Sequence, residues 1–195
     1  MNIKTWIGTG VIAFIVIYAV GLNNSLIEKE EGVNQAWAQV ENQYQRRADL
    51  IPNLVSTVRG AANFEQETIT QVIEARSRAT SINVSAGDLN DPAALQQFDQ
   101  AQQQLSGALS RLLVTVERYP ELTATQNFRD LQTQLEGTEN RISTERMRFN
   151  RAAQEYNTSI RRFPANLVAG IFGHQQKAYF EAIEGAEQAP EVSFD

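Results

Sequence analysis

Between Trp6 and Leu22 the chain reads WIGTGVIAFIVIYAVGL, with no charged residue. A run of this kind meets the ~17–25 apolar residues that a helix needs to cross the hydrocarbon of a bilayer. The segment therefore predicts a single N-terminal transmembrane helix, and whatever follows must fold in the aqueous phase. Trp6 and Tyr18 stand near its two ends, where amphipathic rings favour the headgroup level. The rival reading is a cleaved signal peptide, because Ala19-Val20-Gly21 places small residues where a signal peptidase acts. The expectation adopted is a retained anchor. Thr5, Thr9, Ala13 and Gly21 fall on a four-residue spacing, which is either a close-approach face for another helix in lipid or a chance run of small residues.

Orientation follows from flanking charge. Lys4 and the α-amino group precede the run, whereas the trailing flank, SLIEKEE, carries one positive charge among several negative ones. Basic residues stay on the cytoplasmic side, so the bias favours the inner (cytoplasmic) membrane with the remainder of the chain extracytoplasmic or periplasmic.

Beyond the anchor, apolar residues recur in alternating steps of three and four, the seam that packs helices nearly parallel. One stretch runs Val33, Trp37, Val40, Tyr44, Ala48, Ile51, Val55, Val58, Ala62, then Ile69, Val72, Arg76 and Ala79. A second runs from Leu95 through Phe98, Gln102, Leu105, Leu109, Leu112 and Val116 to Tyr119. A third runs from Phe128 through Leu135, Thr138, Ile142, Glu145, Phe149 and Tyr156 to Phe163. No segment alternates as a half-buried strand would, so the fold class is all-α. The expected architecture is an elongated antiparallel bundle of three long helices, or four if the first breaks near Pro52 or Asn63. Helices of this length make a rod of roughly 40–60 Å.

Asp91-Pro92 supplies an N-cap followed by a proline at the first helical position. Thr123 with Gln126 reads as a capping box, and Phe163-Pro164 ends the last long helix. Pro52 falls inside a seam that keeps its phase, which favours one long helix, kinked there and continuing from the membrane. The domain plan is an anchor over 1–24, a helical bundle over 25–163, and a tail over 164–195 that is apolar, then acidic.

Chemistry-bearing constellations are scarce. The net charge is −6, the wrong sign for phosphate, so nucleic acid is not an expected partner; the pairs Arg46-Arg47 and Arg161-Arg162 read as solvated. Cysteine is absent, which removes thiolate metal sites and cysteine nucleophiles. His174 is the sole histidine, so a di-iron bundle with two Glu-x-x-His motifs is excluded, and no nucleophile elbow or phosphate-cradling loop occurs. His174 itself reads as a surface or interface residue. No catalytic, metal or cofactor site is expected. Glu145 falls on a seam, with Arg76 a candidate partner, since a buried carboxylate needs one; Glu139 is a similar case. Asn150 and Asn157 follow seam aromatics at a seven-residue repeat; with Asn53 they are expected to fix packing register. Phe172, Tyr179 and Phe180 make the tail too apolar to float free, so it must dock on its own bundle or on a neighbour.

Taken in order, several stretches resemble the LemA family of bacterial membrane proteins. They are residues 45–55 (QRRADLIPNLV), 74–76 (EAR), 119–122 (YPEL) and 136–142 (EGTENRI), then Phe149-Asn150, Tyr156-Asn157, 162–166 (RFPAN), 179–181 (YFE) and Val192-x-Phe194. His174 stands where an aromatic residue is usual in that pattern. The resemblance implies an N-terminal anchor, a helical bundle and no established enzymatic activity, with looser links to envelope proteases and stress. The expected function is a non-catalytic, single-pass scaffold of the cell envelope, bound to the lipid bilayer and forming a homo-oligomer. The alternative is an adaptor for another envelope protein such as a membrane protease.

Overall fold

The computed structural model describes residues 3–60 and 64–181, with side chains from residue 6 onward. Expectations resting on the side chains of Lys4 and Thr5, on Ala62 and Asn63, on the acidic residues Glu184, Glu187, Glu191 and Asp195, and on Val192 and Phe194 lie outside the described residues. Among those described, the regular structure is helical: α1 (Ile3–Arg59), α2 (Gln66–Ser81), α3 (Pro92–Val116), α4 (Pro120–Thr123), α5 (Gln126–Arg161) and α6 (Ala165–Phe172), with a short 3-10 turn at Asp88–Asn90.

The first seam is two helices rather than one. Helix α1 passes through Pro52 and stops at Arg59, and α2 begins at Gln66, so the four-helix alternative, with its break beside position 63, is the one adopted. Proline at position 52 cannot donate to the carbonyl four residues back, that of Ala48. Arg76 of α2 fills the vacancy: its Nε–H donates to the Ala48 carbonyl at 2.8 Å. The partner expected for Arg76 was Glu145, but Glu145 pairs instead with Arg148 one turn along α5, at 2.8 Å. A planar donor reaching a stranded backbone acceptor wins over a carboxylate that has a neighbour at hand.

Helix α3 starts as expected, with Asp91 Oδ1 accepting from the Ala93 N–H at 2.9 Å. Helix α5 does not start on the Thr123 box. Thr123 closes the one-turn helix α4, and Thr125 is the N-cap, its Oγ accepting from the Phe128 N–H at 3.4 Å.

Helices α1 and α5 run antiparallel along much of their length, as the pairs Arg47/Glu139 and Trp37/Phe149 show. Helices α2 and α3 form a second pair against them. At 36 residues, α5 alone extends about 54 Å at 1.5 Å per residue. The core falls into two clusters. One, near the anchor, gathers Leu26, Val33, Trp37, Phe98, Phe149, Tyr156 and Ile160. The other, distal, gathers Ile51, Leu54, Val58, Val72, Leu105, Leu112 and Leu135. Phe163, the last residue of the third seam, is not in either: it is 80% exposed, because α5 ends at Arg161 and the helical period ends with it.

Candidate functional site

The two core clusters are separated by a polar layer, and arginine is at its centre. Arg47 lies one turn after Tyr44 of the first cluster and one turn before Ile51 of the second, and its residue surface is 1% exposed. This corrects the solvated reading of the Arg46-Arg47 pair: Arg46 faces water and Arg47 does not. One Nη of Arg47 donates to Glu139 Oε1 at 2.7 Å and to Ser106 Oγ at 2.8 Å. The other donates to Gln102 Oε1 at 2.6 Å. Gln102 passes the connection on, its amide donating to the Ala79 carbonyl at 3.2 Å. Side chains or carbonyls of α1, α2, α3 and α5 therefore meet at one level. Both Nη groups of this buried guanidinium are used, a planar fork suiting several acceptors at fixed angles, while its Nε has no hydrogen-bond partner among the described residues. Beside it Arg146 pairs with Asp99 at 2.7 Å, and burial pushes the Tyr44 phenol above its ordinary range despite the nearby Arg146 and Arg47 charges. An open groove of about 600 Å³ runs along this layer, lined by Arg47, Ser106, Glu139, Arg146, Asn150 and Phe180.

The described part of the tail, through Glu181, docks on its own bundle, one of the two sites open to it. Gly173, with φ at +76°, ends α6 in the left-handed conformation that costs glycine little, and the chain leaves extended. Asn157 Nδ2 donates to the Lys177 carbonyl at 2.8 Å while the Lys177 N–H donates back to Asn157 Oδ1 at 2.8 Å. Asn150 does the same with Phe180, at 2.8 and 2.9 Å. The spacing explains why this works. Seven residues of helix rise about 10.5 Å, and three residues of extended chain span about 10 Å. The two asparagines thus hold the tail as a neighbouring strand would. The same beat repeats on α1: Asn23 meets His174, Glu30 meets Lys177 and Trp37 meets Phe180.

At the lower end of this clamp His174 is enclosed, its side chain 7% exposed. That departs from a surface reading. Its Nε2 lies 3.1 Å from Asn23 Oδ1, and its Nδ1 lies 3.2 Å from the Tyr156 hydroxyl and 3.3 Å from Glu30. With Nε2 donating to Asn23, a neutral ring accepts the Tyr156 hydroxyl, and a protonated one donates to Glu30. Lys177 Nζ pairs with the same carboxylate at 2.8 Å. Burial works to raise the Glu30 carboxyl, but the Lys177 and His174 interactions outweigh it and hold the group below its ordinary value. Burial first, and the Glu30 charge second, push the Tyr156 phenol far above the usual range. Phe180 closes the upper end, stacked on Trp37 at 5.9 Å with the Arg146 guanidinium 4.3 Å over its ring.

Of the residues singled out from sequence, Asn150, Asn157 and Phe180 come together here, and Tyr179 adds its hydroxyl as acceptor for Asn157 Nδ2 at 2.8 Å. Asn53 stands apart, exposed on α1 beside Pro52, and Phe172 is exposed at the end of α6. Trp6, Thr9, Ala13 and Tyr18 lie on the bare part of α1, where Tyr18 stacks on Phe14 at 6.3 Å. Asn23, Glu30, Arg47 and Lys177 were missed. The seven-residue spacing of Asn23, Glu30 and Trp37 was the available signal, since it matches that of the two asparagines. Among the described residues no group of three or more His, Asp or Glu side chains is placed to hold a metal ion.

The sequence model described as the LemA family matches residues 36–194. Magnetosome protein MamQ 2 of Paramagnetospirillum magneticum is 27% identical over 190 residues, covering 88% of this chain and 68% of that protein. Protein LemA of Metamycoplasma hominis is 27% identical over 172 residues, covering 88% of this chain and 74% of that protein. Magnetosome protein MamQ of Magnetospirillum gryphiswaldense is 26% identical over 187 residues, covering 87% and 68%.

Proposed function

The chain belongs to the LemA family, and on that premise we propose that it is a membrane-anchored, non-catalytic helical scaffold of the bacterial cell envelope that self-assembles into a homo-oligomer. The observation that carries this reading is the first part of α1. From Trp6 to Val20 its Ile, Val, Phe and Tyr side chains are exposed on every face, although the helix runs on unbroken into the bundle. An apolar surface of that extent is stable in lipid and not in water. In this reading residues 1–24 are the anchor in the inner membrane, 25–163 the bundle on the extracytoplasmic side, and 164–195 the tail.

The polar groups of the interior support a structural role. Arg47, Gln102, Asn150 and Asn157 each spend their hydrogen bonds joining one element to another. In this reading these groups act as fasteners between the elements.

Native mass measurement after mild detergent extraction tests the proposal. A homogeneous particle of several copies is expected, and a monomer that co-purifies with one other envelope protein would replace it with the adaptor reading. The groove beside Arg47 and Arg146 favours that second reading to the extent that it offers a partner both charge and an apolar wall. A cysteine in the 85–91 loop should react with an impermeant maleimide on intact cells; protection there would place the bundle in the cytoplasm.

A further inference from the structure

We propose that α6 lies in the interface of the bilayer that α1 crosses, as a second, monotopic contact that sets the bundle against the membrane surface. This rests on the reading of α1 as an anchor. The opposed pairs of α1 and α5 descend in register, from Arg47/Glu139 through Trp37/Phe149 to Glu30/Tyr156. Continued for a little over a turn, the register brings Arg161, the last residue of α5, level with Ser25. Just past the other end of α6, His174 touches Asn23. Both ends of an eight-residue helix therefore stand at the level where α1 leaves the apolar run, so α6 crosses the foot of the bundle rather than climbing it.

Its two faces differ accordingly. Val168 and Ala169 are buried, and Ala169 joins Leu26 and Ile160 in closing the membrane-side end of the core. The other face carries Leu167, 58% exposed, and Ile171, 79% exposed; Phe172 is exposed beside Ile171, and Phe163 is exposed ahead of the helix. Leu167 and Ile171, four apart, share one stripe of α6. Arg161 and Arg162 are exposed immediately before it, where guanidinium groups meet anionic headgroups. An isolated helix this short would bind a bilayer weakly. Here the anchor already holds it at the surface, so the local concentration of lipid is high and a small apolar face suffices.

The sequence has no cysteine, so single cysteines can be placed in the full chain and spin-labelled without a background. The chain is reconstituted in nanodiscs containing anionic phospholipid, with labels at Leu167→Cys and Ile171→Cys, at Ile15→Cys within the anchor, and at Gln134→Cys on exposed α5. Collision with oxygen, which concentrates in lipid, is compared with collision with a neutral nickel chelate, which stays in water. Labels at 167 and 171 should favour oxygen several-fold, as at 15, with the reverse at 134. A water-like ratio at 167 and 171 with a lipid ratio at 15 overturns the placement of α6 alone. Labels at 167 and 171 shielded from both reagents would mean that protein covers the stripe, which also overturns it. A water-like ratio at 15 would bring down the anchor reading itself.

Discussion

The replacement of a proline's missing donor by Arg76 yields a sharp expectation, because two substitutions on different helices should not act independently. In the parent chain the Ala48 carbonyl is buried and accepts from Arg76 Nε at 2.8 Å. Arg76→Leu leaves that oxygen without its donor. A buried acceptor stripped of its partner costs about 1–3 kcal/mol, and the bond lost is charge-assisted, so about 2 kcal/mol is the working figure. For a chain of this size 1 kcal/mol moves Tm by roughly 2–4 °C, so the melting point should fall by about 4–8 °C. In Pro52→Ala the backbone N–H at position 52 returns and takes the same carbonyl. Arg76→Leu in that background should then cost no more than about 0.5 kcal/mol, giving a coupling of roughly 1.5 kcal/mol, within the range seen for residues sharing a partner. Loss of the arginine's aliphatic stem is common to both backgrounds and cancels. The assay is thermal unfolding of the four detergent-solubilised chains followed by circular dichroism. An equal drop in both backgrounds would refute the argument that Arg76 answers Pro52.

The other expectations concern the clamp and the polar layer. Asn157→Ala removes three hydrogen bonds and should speed amide exchange at Lys177 by about 10–100-fold, the equivalent of 1.4–2.8 kcal/mol, whereas Asn53→Ala should leave it unchanged; equal effects of the two would contradict the docking argument. The Glu30 carboxyl is held below its ordinary value of 4.5, so its contribution to tail docking is complete above that pH and is lost as the pH falls through the lowered value. Acid titration of a fluorophore attached to the tail should show this release, and Glu30→Gln should remove the acid limb. Glu139→Ala takes away one acceptor from a guanidinium that is 1% exposed, but the carboxylate is 42% exposed and Ser106 and Gln102 still accept, so the bundle should be destabilised by about 1–2 kcal/mol. Adding Arg47→Met should recover part of that loss, and a purely additive double variant would show that the ion pair is not the cause.

Much of the fold is legible in the sequence. The seams placed Trp37, Leu105 and Phe149 in the core, and Asp91-Pro92 marked the start of α3. Where the sequence misled, the cause was competition between equivalent local signals. Thr123 and Thr125 both suit an N-cap, and only the turn of α4 decides between them. The phase of the first seam carried the helix through Pro52 as expected, with Arg76 answering the proline from outside the local sequence, but the helix ends at Arg59 rather than continuing along the seam.

What the sequence determined by itself is everything set by periodicity and polarity: a charge-free N-terminal segment, a helical class and the faces that had to be buried. Those follow from transfer of side chains out of water, which depends on residue type and spacing alone. The tertiary structure decided which polar groups meet. Arg47 reads as half of a solvated pair until α3 and α5 bring Gln102, Ser106 and Glu139 around it. Asn150 and Asn157 read as register residues until an extended tail, matching three residues to their seven, supplies the backbone they hold. Hydrogen bonds need distance and angle between residues far apart in the chain, and that geometry exists only once the helices have packed.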